Sequence, residues 1–296
     1  MALYIGNTLI TKLYKGNTEL KKLYLGNTLI YSSAVPETDF IMSVKTDNTG
    51  TSNNNQFTIP TISGNLYDVT TSDGQTLLAN TGDLTITFPS AGTYDINISG
   101  DFRQLYFNNS GDNSKLIGVK NWGNTVFTSM LNAFFGCNNF VNYIATDVPD
   151  LSSVTSMQGM FAGSSFNGDI SSWDVSNVTN MDYLMFNSSF NQDLSSWNVS
   201  NVTTMFAAFY NATSFDQNLA SWNIKQVTNL GDFMINVTLS TANYDATLIG
   251  WAGQISLSYN GTLNFGNSAY TLGGAAATAR AALVSDVGAV SDGGGV

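Results

Sequence analysis

Two hydrophobic periods run through this chain. Over residues 3 to 31 the pattern returns every ten residues, as "LYIGNTLITK", "LYKGNTELKK" and "LYLGNTLIYS". Its Gly-Asn pairs fall at 6–7, 16–17 and 26–27. Glycine takes positive φ freely and asparagine accepts it better than most residues, so each pair suits a two-residue hairpin turn. The eight residues between pairs make a comfortable strand. The pattern predicts a small antiparallel meander over 1–35, too small to be stable alone. From Phe40 to Gly100, short strand-like runs ("FIMSVKT", "QFTIP", "NLYDVTT", "LTITFP", "TYDINISG") alternate with turn-rich "DNTGTSNNN", "SDGQ" and "PSAG". That arrangement predicts a small β-sandwich over 36–101.

The second period is longer. "FNGDISSWDVSNVTNM" at 166–181 returns, little changed, as "FNQDLSSWNVSNVTTM" at 190–205. Its most regular mark is an aliphatic residue, two spacers and Trp: Val119/Trp122, Ile170/Trp173, Leu194/Trp197, Leu219/Trp222 and Leu248/Trp251, with Val148/Leu151 filling one place. Trp197 and Val199 alternate with Asn198, as in a half-buried strand. Val202, Met205, Ala208 and Phe209 recur at helical spacing, with Thr203 placed to cap a short helix. One such unit cannot bury both its faces, but stacked neighbours can. The expectation is a solenoid over 102–252 in which Trp, Met and Phe each lie over their equivalents one repeat away. The alanine-rich stretch 275–284 predicts a helix covering the last apolar face, within a terminal segment 253–296 whose Gly-rich tail need not be ordered.

Composition narrows the chemistry. Charged residues make up only 10% of the chain, far below the usual share, so the surface must rest on Asn, Ser, Thr and Gly. Such a surface suits exterior proteins. The net charge of −11 is uneven: Lys12, Lys15, Lys21 and Lys22 stand against Glu19 near the start, and the body is acidic. An acidic body disfavours nucleic acid and anionic membrane, while the lysines could anchor the chain on an acidic scaffold. No window is apolar enough to span a membrane. There is no histidine, which removes the commonest general base and zinc ligand. The single cysteine, Cys137 in "FFGCNNF", reads as a buried small apolar residue. No phosphate-loop or dinucleotide pattern is present, and no cofactor is expected.

The repeat units, with the terminal "NYDATLIGW" and "GNSAYTLGGAAATARAAL", resemble the BspA-like leucine-rich repeats of bacterial surface proteins over about 105–292. That resemblance implies a curved solenoid with strands on its concave side, used in adhesion. Residues 38–100 are similar to the polycystic-kidney-disease-type sandwich through "AGTYDINISG", although the usual "WGDG" is replaced by "TSDGQT". The opening "LYIGNT" repeats are similar to short repeats that begin bacteriophage structural proteins.

The expected fold is therefore a mixed, β-rich one: meander, sandwich, leucine-rich solenoid and helical cap. Asn167, Asn191 and Asp216 share one rung position, and Asp169, Asp193 and Asn218 another. Rungs about 5 Å apart would suit a retaining glycosidase pair. Acid and amide exchange places between units, however, as a structural hydrogen-bond ladder requires; calcium binding and catalysis are the weaker readings, and no enzyme is expected. On the strands' outward face Ser172, Asp174, Ser196, Asn198, Ser221 and Asn223 would form a polar lattice for a host glycan or protein. The opening "MALYIGNTLITKLYKGN" has no charged stretch followed by an apolar one, so, with Met1 as a native start, export by a secretory signal is not expected. The functional expectation is a bacteriophage virion surface protein (fibre, decoration or receptor-binding), docked on capsid or tail proteins by its N-terminus and self-associating as a trimer. A secreted bacterial adhesin and a glycan depolymerase are the alternatives.

Overall fold

The computed structural model describes residues 38–62, 64, 66–254 and 261–296, with six strand segments between residues 4 and 32. The chain divides into two compact units, Met1–Thr38 and Asp39–Val296.

In the first unit, strands β1 (Tyr4–Ile5) and β2 (Thr8–Leu9), β3 (Leu13–Lys15) and β4 (Thr18–Leu20), and β5 (Lys22–Leu25) and β6 (Thr28–Ser32) pair antiparallel. Ile5 faces Thr8, Lys15 faces Thr18 and Leu25 faces Thr28, so each Gly-Asn pair separates the strands of its own hairpin. Among the described residues these are three two-stranded sheets, not the expected continuous meander.

The second unit opens with β7 (Phe40–Lys45), β8 (Gln56–Ile59), β9 (Tyr67–Thr71), β10 (Thr76–Asn80), β11 (Leu84–Thr87), β12 (Thr93–Gly100), β13 (Leu116–Asn121) and β14 (Asn142–Tyr143). Six of them form one sheet in the order β10-β9-β12-β7-β13-β14, antiparallel except for the β13–β14 pair. β7 is one of its inner strands and is buried on both faces from Phe40 to Val44, hence its nearly unbroken apolar run. β9 alternates buried Tyr67, Val69 and Thr71 with half-exposed residues, as a one-sided strand does. The second layer is only the β8–β11 pair, whose Phe57, Ile59 and Ile86 are buried. The expected free-standing sandwich is thus corrected. β13, from the segment read as repeat, pairs with β7 and carries the sheet onward through a register shift at Gly118. A Cβ at Gly118 would meet the Asn142 carbonyl oxygen, so glycine admits the β14 strand.

The leucine-rich solenoid is also overturned. Residues 144–240 contain no strand and no helix. The repeats meet through isolated parallel bridges, Ser156–Asn180, Asn180–Thr204 and Thr204–Asn229, and these build no curved concave sheet. Asn198 Oδ1 accepts the Ser200 N–H at 3.2 Å, and Asp193 Oδ1 accepts that of Ser195 at 2.8 Å. Such side-chain turns bend the backbone on both sides of Trp197–Val199 and prevent the expected strand. The expected helix fails for a second reason, the left-handed backbone at Ala207 and Asn211, with φ of 51° and 56°. A right-handed helix cannot pass through such residues.

Instead each repeat carries a seven-residue run, at 130–136, 157–163, 181–187, 205–211 and 230–236, whose last six residues form turns. Its first, fourth and fifth side chains are buried: Met181, Leu184 and Met185 in one, Met205, Ala208 and Phe209 in the next. Alternate amides leave the repeat. Met181, Tyr183, Met185 and Asn187 donate to the carbonyls of Thr204, Phe206, Ala208 and Tyr210 at 3.0, 2.9, 2.7 and 2.8 Å. Leu184 and Phe186 close local turns on Met181 and Tyr183. The amides of the run thus find partners without helix or strand.

The tryptophans lock the other side. Ile170 O accepts Trp173 N–H at 3.1 Å and the Trp197 indole at 2.9 Å. Leu194 O accepts Trp197 N–H and the Trp222 indole, and Leu219 O accepts Trp222 N–H and the Trp251 indole. Trp173 departs from the series: its Nε1 approaches the Tyr143 hydroxyl without reaching hydrogen-bonding geometry. Asparagine side chains add a third ladder, Asn211 to Asn187 at 2.8 Å and Asn236 to Asn211 at 2.6 Å.

The C-terminal part is not a lone helical cap. Helix α1 (Thr241–Trp251) buries Tyr244, Leu248 and Trp251, and α2 (Ala275–Val287) buries Ala276, Ala279, Leu283 and Val287. Strands β15 (Gly261–Asn264) and β17 (Gly288–Ser291) pair in parallel, as do β16 (Ala269–Tyr270) and β18 (Gly294–Gly295), so the Gly-rich tail is ordered. Arg280 fixes it, donating from Nε to Asp292 at 2.6 Å, while Tyr244 donates to the same carboxylate at 2.7 Å.

A candidate site in an aromatic groove on the turn runs

The second, third, sixth and seventh places of the turn runs are less enclosed wherever they carry a larger side chain, as at Tyr183, Phe186 and Tyr210, whereas Ala162 and Ala207 are buried. In successive repeats the third place holds Asn132, Gly159, Tyr183, Ala207 and Asp232, and the sixth holds Phe135, Ala162, Phe186, Tyr210 and Ile235. Gly159 and Ala162 are the smallest pair, and they lie between repeats carrying Phe135 on one side and Tyr183 with Phe186 on the other. The result is a cavity of about 280 Å³, lined by Asn132, Phe135, Gln158, Gly159, Ala162, Tyr183 and Phe186. Its size is near the lower end for small-molecule sites.

The rings on the Tyr183 side are braced from behind. Phe186 stacks on Tyr210 at 5.1 Å, and Tyr183 meets Phe206 edge-on at 5.4 Å and Phe186 at 5.6 Å. Phe206 is held in turn, its N–H donating to Asp182 Oδ1 at 2.7 Å. The amides are fixed too: Asn132 Nδ2 donates to Asn108 Oδ1 at 2.8 Å, and Gln158 Oε1 accepts from Asn180 at 3.4 Å. Gly159, at φ 61°, brings its backbone under Asn132 Oδ1, where any Cβ would collide. No charged side chain lines the cavity. Tyr183 sits at φ 56°. A bulky residue rarely takes that conformation, which costs about 1–2 kcal/mol.

The residues expected to bind lie elsewhere. Ser172, Asp174, Ser196, Asn198, Ser221 and Asn223 are all exposed, in three successive repeats. Five of them are engaged within the chain. Asp174, Asn198 and Asn223 accept the N–H groups of Ser176, Ser200 and Lys225, and Ser196 and Ser221 donate to the carbonyls of Ser171 and Ser195 in the preceding repeat. Of the anchor lysines, Lys12 and Lys21 lie outside the described residues, Lys15 ends β3 and Lys22 begins β5.

The rung carboxylates have two separate tasks. Asn167, Asn191 and Asp216 reach forward, accepting the N–H of Asn191, Asp216 and Ser240 in the following repeat at 2.8, 2.9 and 2.7 Å. Asp169, Asp193 and Asn218 turn onto their own repeat, accepting from Ser171, Ser195 and Ala220. The Ser171 amide holds the Asp169 carboxyl below the usual carboxylate range, the opposite of what a glycosidase acid needs. At Asp216 burial raises the pKa, but hydrogen bonds from Asn243 and Ser240 outweigh it and the net shift is downward.

Sequence reasoning missed a buried ion pair. Lys115 and Asp112 are fully enclosed, with Nζ 3.8 Å from the carboxylate. Nζ donates to the carbonyls of Ser52, Asn53 and Gln56 at 2.9–3.0 Å and to Ser52 Oγ at 2.8 Å. The turn-rich loop "DNTGTSNNN" thus closes around an ammonium. Only the short spacing within "GDNSK" hinted at it. No group of three acidic or thiol side chains clusters among the described residues.

Residues 103–247 match a family described as a Mycoplasma protein of unknown function, DUF285. The match covers just under half of the chain and falls mainly on the turn-run repeats. No curated protein matches, and no solved structure does. The resemblances to BspA-like leucine-rich repeats, to a polycystic-kidney-disease-type sandwich and to the opening repeats of bacteriophage structural proteins are overturned. The matched family carries another description, and the bridges build no curved sheet.

Proposed function

We propose that this chain is a non-catalytic recognition protein of an exterior surface, and that it binds through the groove bounded by Phe135, Tyr183 and Phe186. The observation that carries the reading is a preformed, uncharged aromatic slot, its rings braced from behind by Phe206 and Tyr210. Preorganised rings bind without a large ordering cost. The binding reading is favoured over a depolymerase because Asp169 and Asp193 accept hydrogen bonds from their own repeat. No helix of the described residues is long and apolar enough to cross a membrane.

Attachment through the basic N-terminal hairpins to capsid or tail proteins, self-association as a trimer, and a host glycan or protein as ligand belong to this proposal. Labelled full-length chain should be retained by intact cells and release no sugar from their polysaccharide, and Asp169→Asn with Asp193→Asn should leave retention unchanged. Product release abolished by those substitutions would replace this reading with the enzymatic one. Deletion of residues 1 to 33 tests the anchor; unchanged particle attachment and oligomeric state would remove it.

A further inference from the structure

Resting on the recognition reading, we infer that the groove is a subsite for one uncharged pyranose ring of a neutral, equatorially linked glycan. Three observations converge on that ligand. The walls carry the rings of Phe135, Tyr183 and Phe186, and aromatic rings pack against the C–H face of a sugar whose ring substituents are equatorial. The lining offers amides (Asn132, Gln158) and the Tyr183 hydroxyl, which pair with sugar hydroxyls, and no charge to select an ion. The body of the chain is acidic, which disfavours anionic polymers and nucleic acid.

The backbone supplies an independent pointer. The place occupied by Tyr183 has positive φ in its neighbours too, and there it is filled by Asn132 (50°), Gly159 (61°), Ala207 (51°) and Asp232 (53°). Glycine, asparagine and aspartate take this backbone at less cost than an aromatic residue, so the turn itself does not call for one. Strain of this kind persists where surrounding contacts hold the residue in place, and it is frequent at binding sites. Tyr183 is that case: its ring forms one wall of the slot, and the Phe206 and Phe186 rings hold it there.

The Tyr183→Asn substitution separates the two roles, because Asn fits the backbone and removes the wall. Full-length protein is titrated with cellohexaose, chitohexaose, maltohexaose and laminarihexaose, with polygalacturonate as the anionic probe, and read by saturation-transfer NMR. Binding of at least one β-linked neutral hexasaccharide is expected, weakened tenfold or more by Tyr183→Asn and by Phe135→Ala, with the Tyr183→Asn melting temperature not lowered. Binding to none of the neutral probes, preference for polygalacturonate, or full affinity in both variants would overturn the sugar subsite. Retention on cells distinguishes the two claims. If periodate treatment of the cells leaves retention intact and protease treatment abolishes it, the recognition reading stands with a protein ligand and the sugar inference fails. If untreated cells do not retain the chain, the recognition reading itself fails.

Discussion

Replacing Trp222 by Phe isolates the hydrogen bond that ties one repeat to the next. The indole donates to Leu194 O at 2.9 Å, a carbonyl that also accepts the Trp197 N–H at 3.1 Å, so the substitution removes one of two bonds there. The lost bond costs about 1 kcal/mol. The smaller buried ring costs about another 1 kcal/mol. Trp173→Phe is the matched control: the ring is as buried but its N–H makes no bond, so only the area term applies. Removal of an unpartnered buried donor offsets part of even that. Trp222→Phe should therefore destabilise by about 2 kcal/mol and Trp173→Phe by about 1 kcal/mol or less. At this chain length the gap corresponds to a melting temperature roughly 2–4 °C lower for the Trp222 variant. Urea unfolding followed by circular dichroism, with equal slopes required before midpoints are compared, gives the two values. Equal losses, or a larger one at Trp173, would show that ring volume alone carries the tryptophan ladder.

Other consequences are as direct. Asp112→Asn leaves the Lys115 ammonium buried without its counter-charge and should cost about 3 kcal/mol at neutral pH. Burial raises the Asp112 pKa, but hydrogen bonds from Ser52 and Thr58, with Lys115 beside it, bring it below the ordinary value. Its contribution is therefore complete above pH about 4 and is lost as pH falls through the depressed folded value; the gap between wild type and variant should close in acid, read by urea midpoints from neutral to strongly acidic pH. Asn211→Gly keeps the positive φ and breaks the asparagine ladder, for about 1 kcal/mol, whereas Asn211→Ala adds about 1 kcal/mol of backbone cost. Calorimetry on the pair should therefore rank glycine above alanine, the reverse of the order in a helix.

The sequence revealed the repeat and its buried ladder but misread the backbone between rungs. Met205, Ala208 and Phe209 lie one, four and five along a turn run and are buried together, the same spacing a helix face has. Periodicity cannot distinguish a helix from a run whose third and seventh residues are left-handed. The clue was present in Asn187, Asn211 and Asn236, each ending its run where a helix would continue. Trp197–Val199 reads as a strand because alternation survives in an irregular segment, while Asp193 and Asn198 carry the turn-forming side chains that bend it. The groove was not legible at all. It arises because Gly159 and Ala162 fall beside Phe135, Tyr183 and Phe186 once repeats stack, a relation between neighbouring repeats that no single unit displays.

Chemical-shift mapping of the full-length protein with the tightest-binding neutral hexasaccharide tests the central claim most directly. Shifts centred on Asn132, Phe135, Gln158, Gly159, Ala162, Tyr183 and Phe186 are the predicted result. Shifts centred instead on Ser172, Asp174, Ser196, Asn198, Ser221 and Asn223 would contradict it and return recognition to the polar lattice.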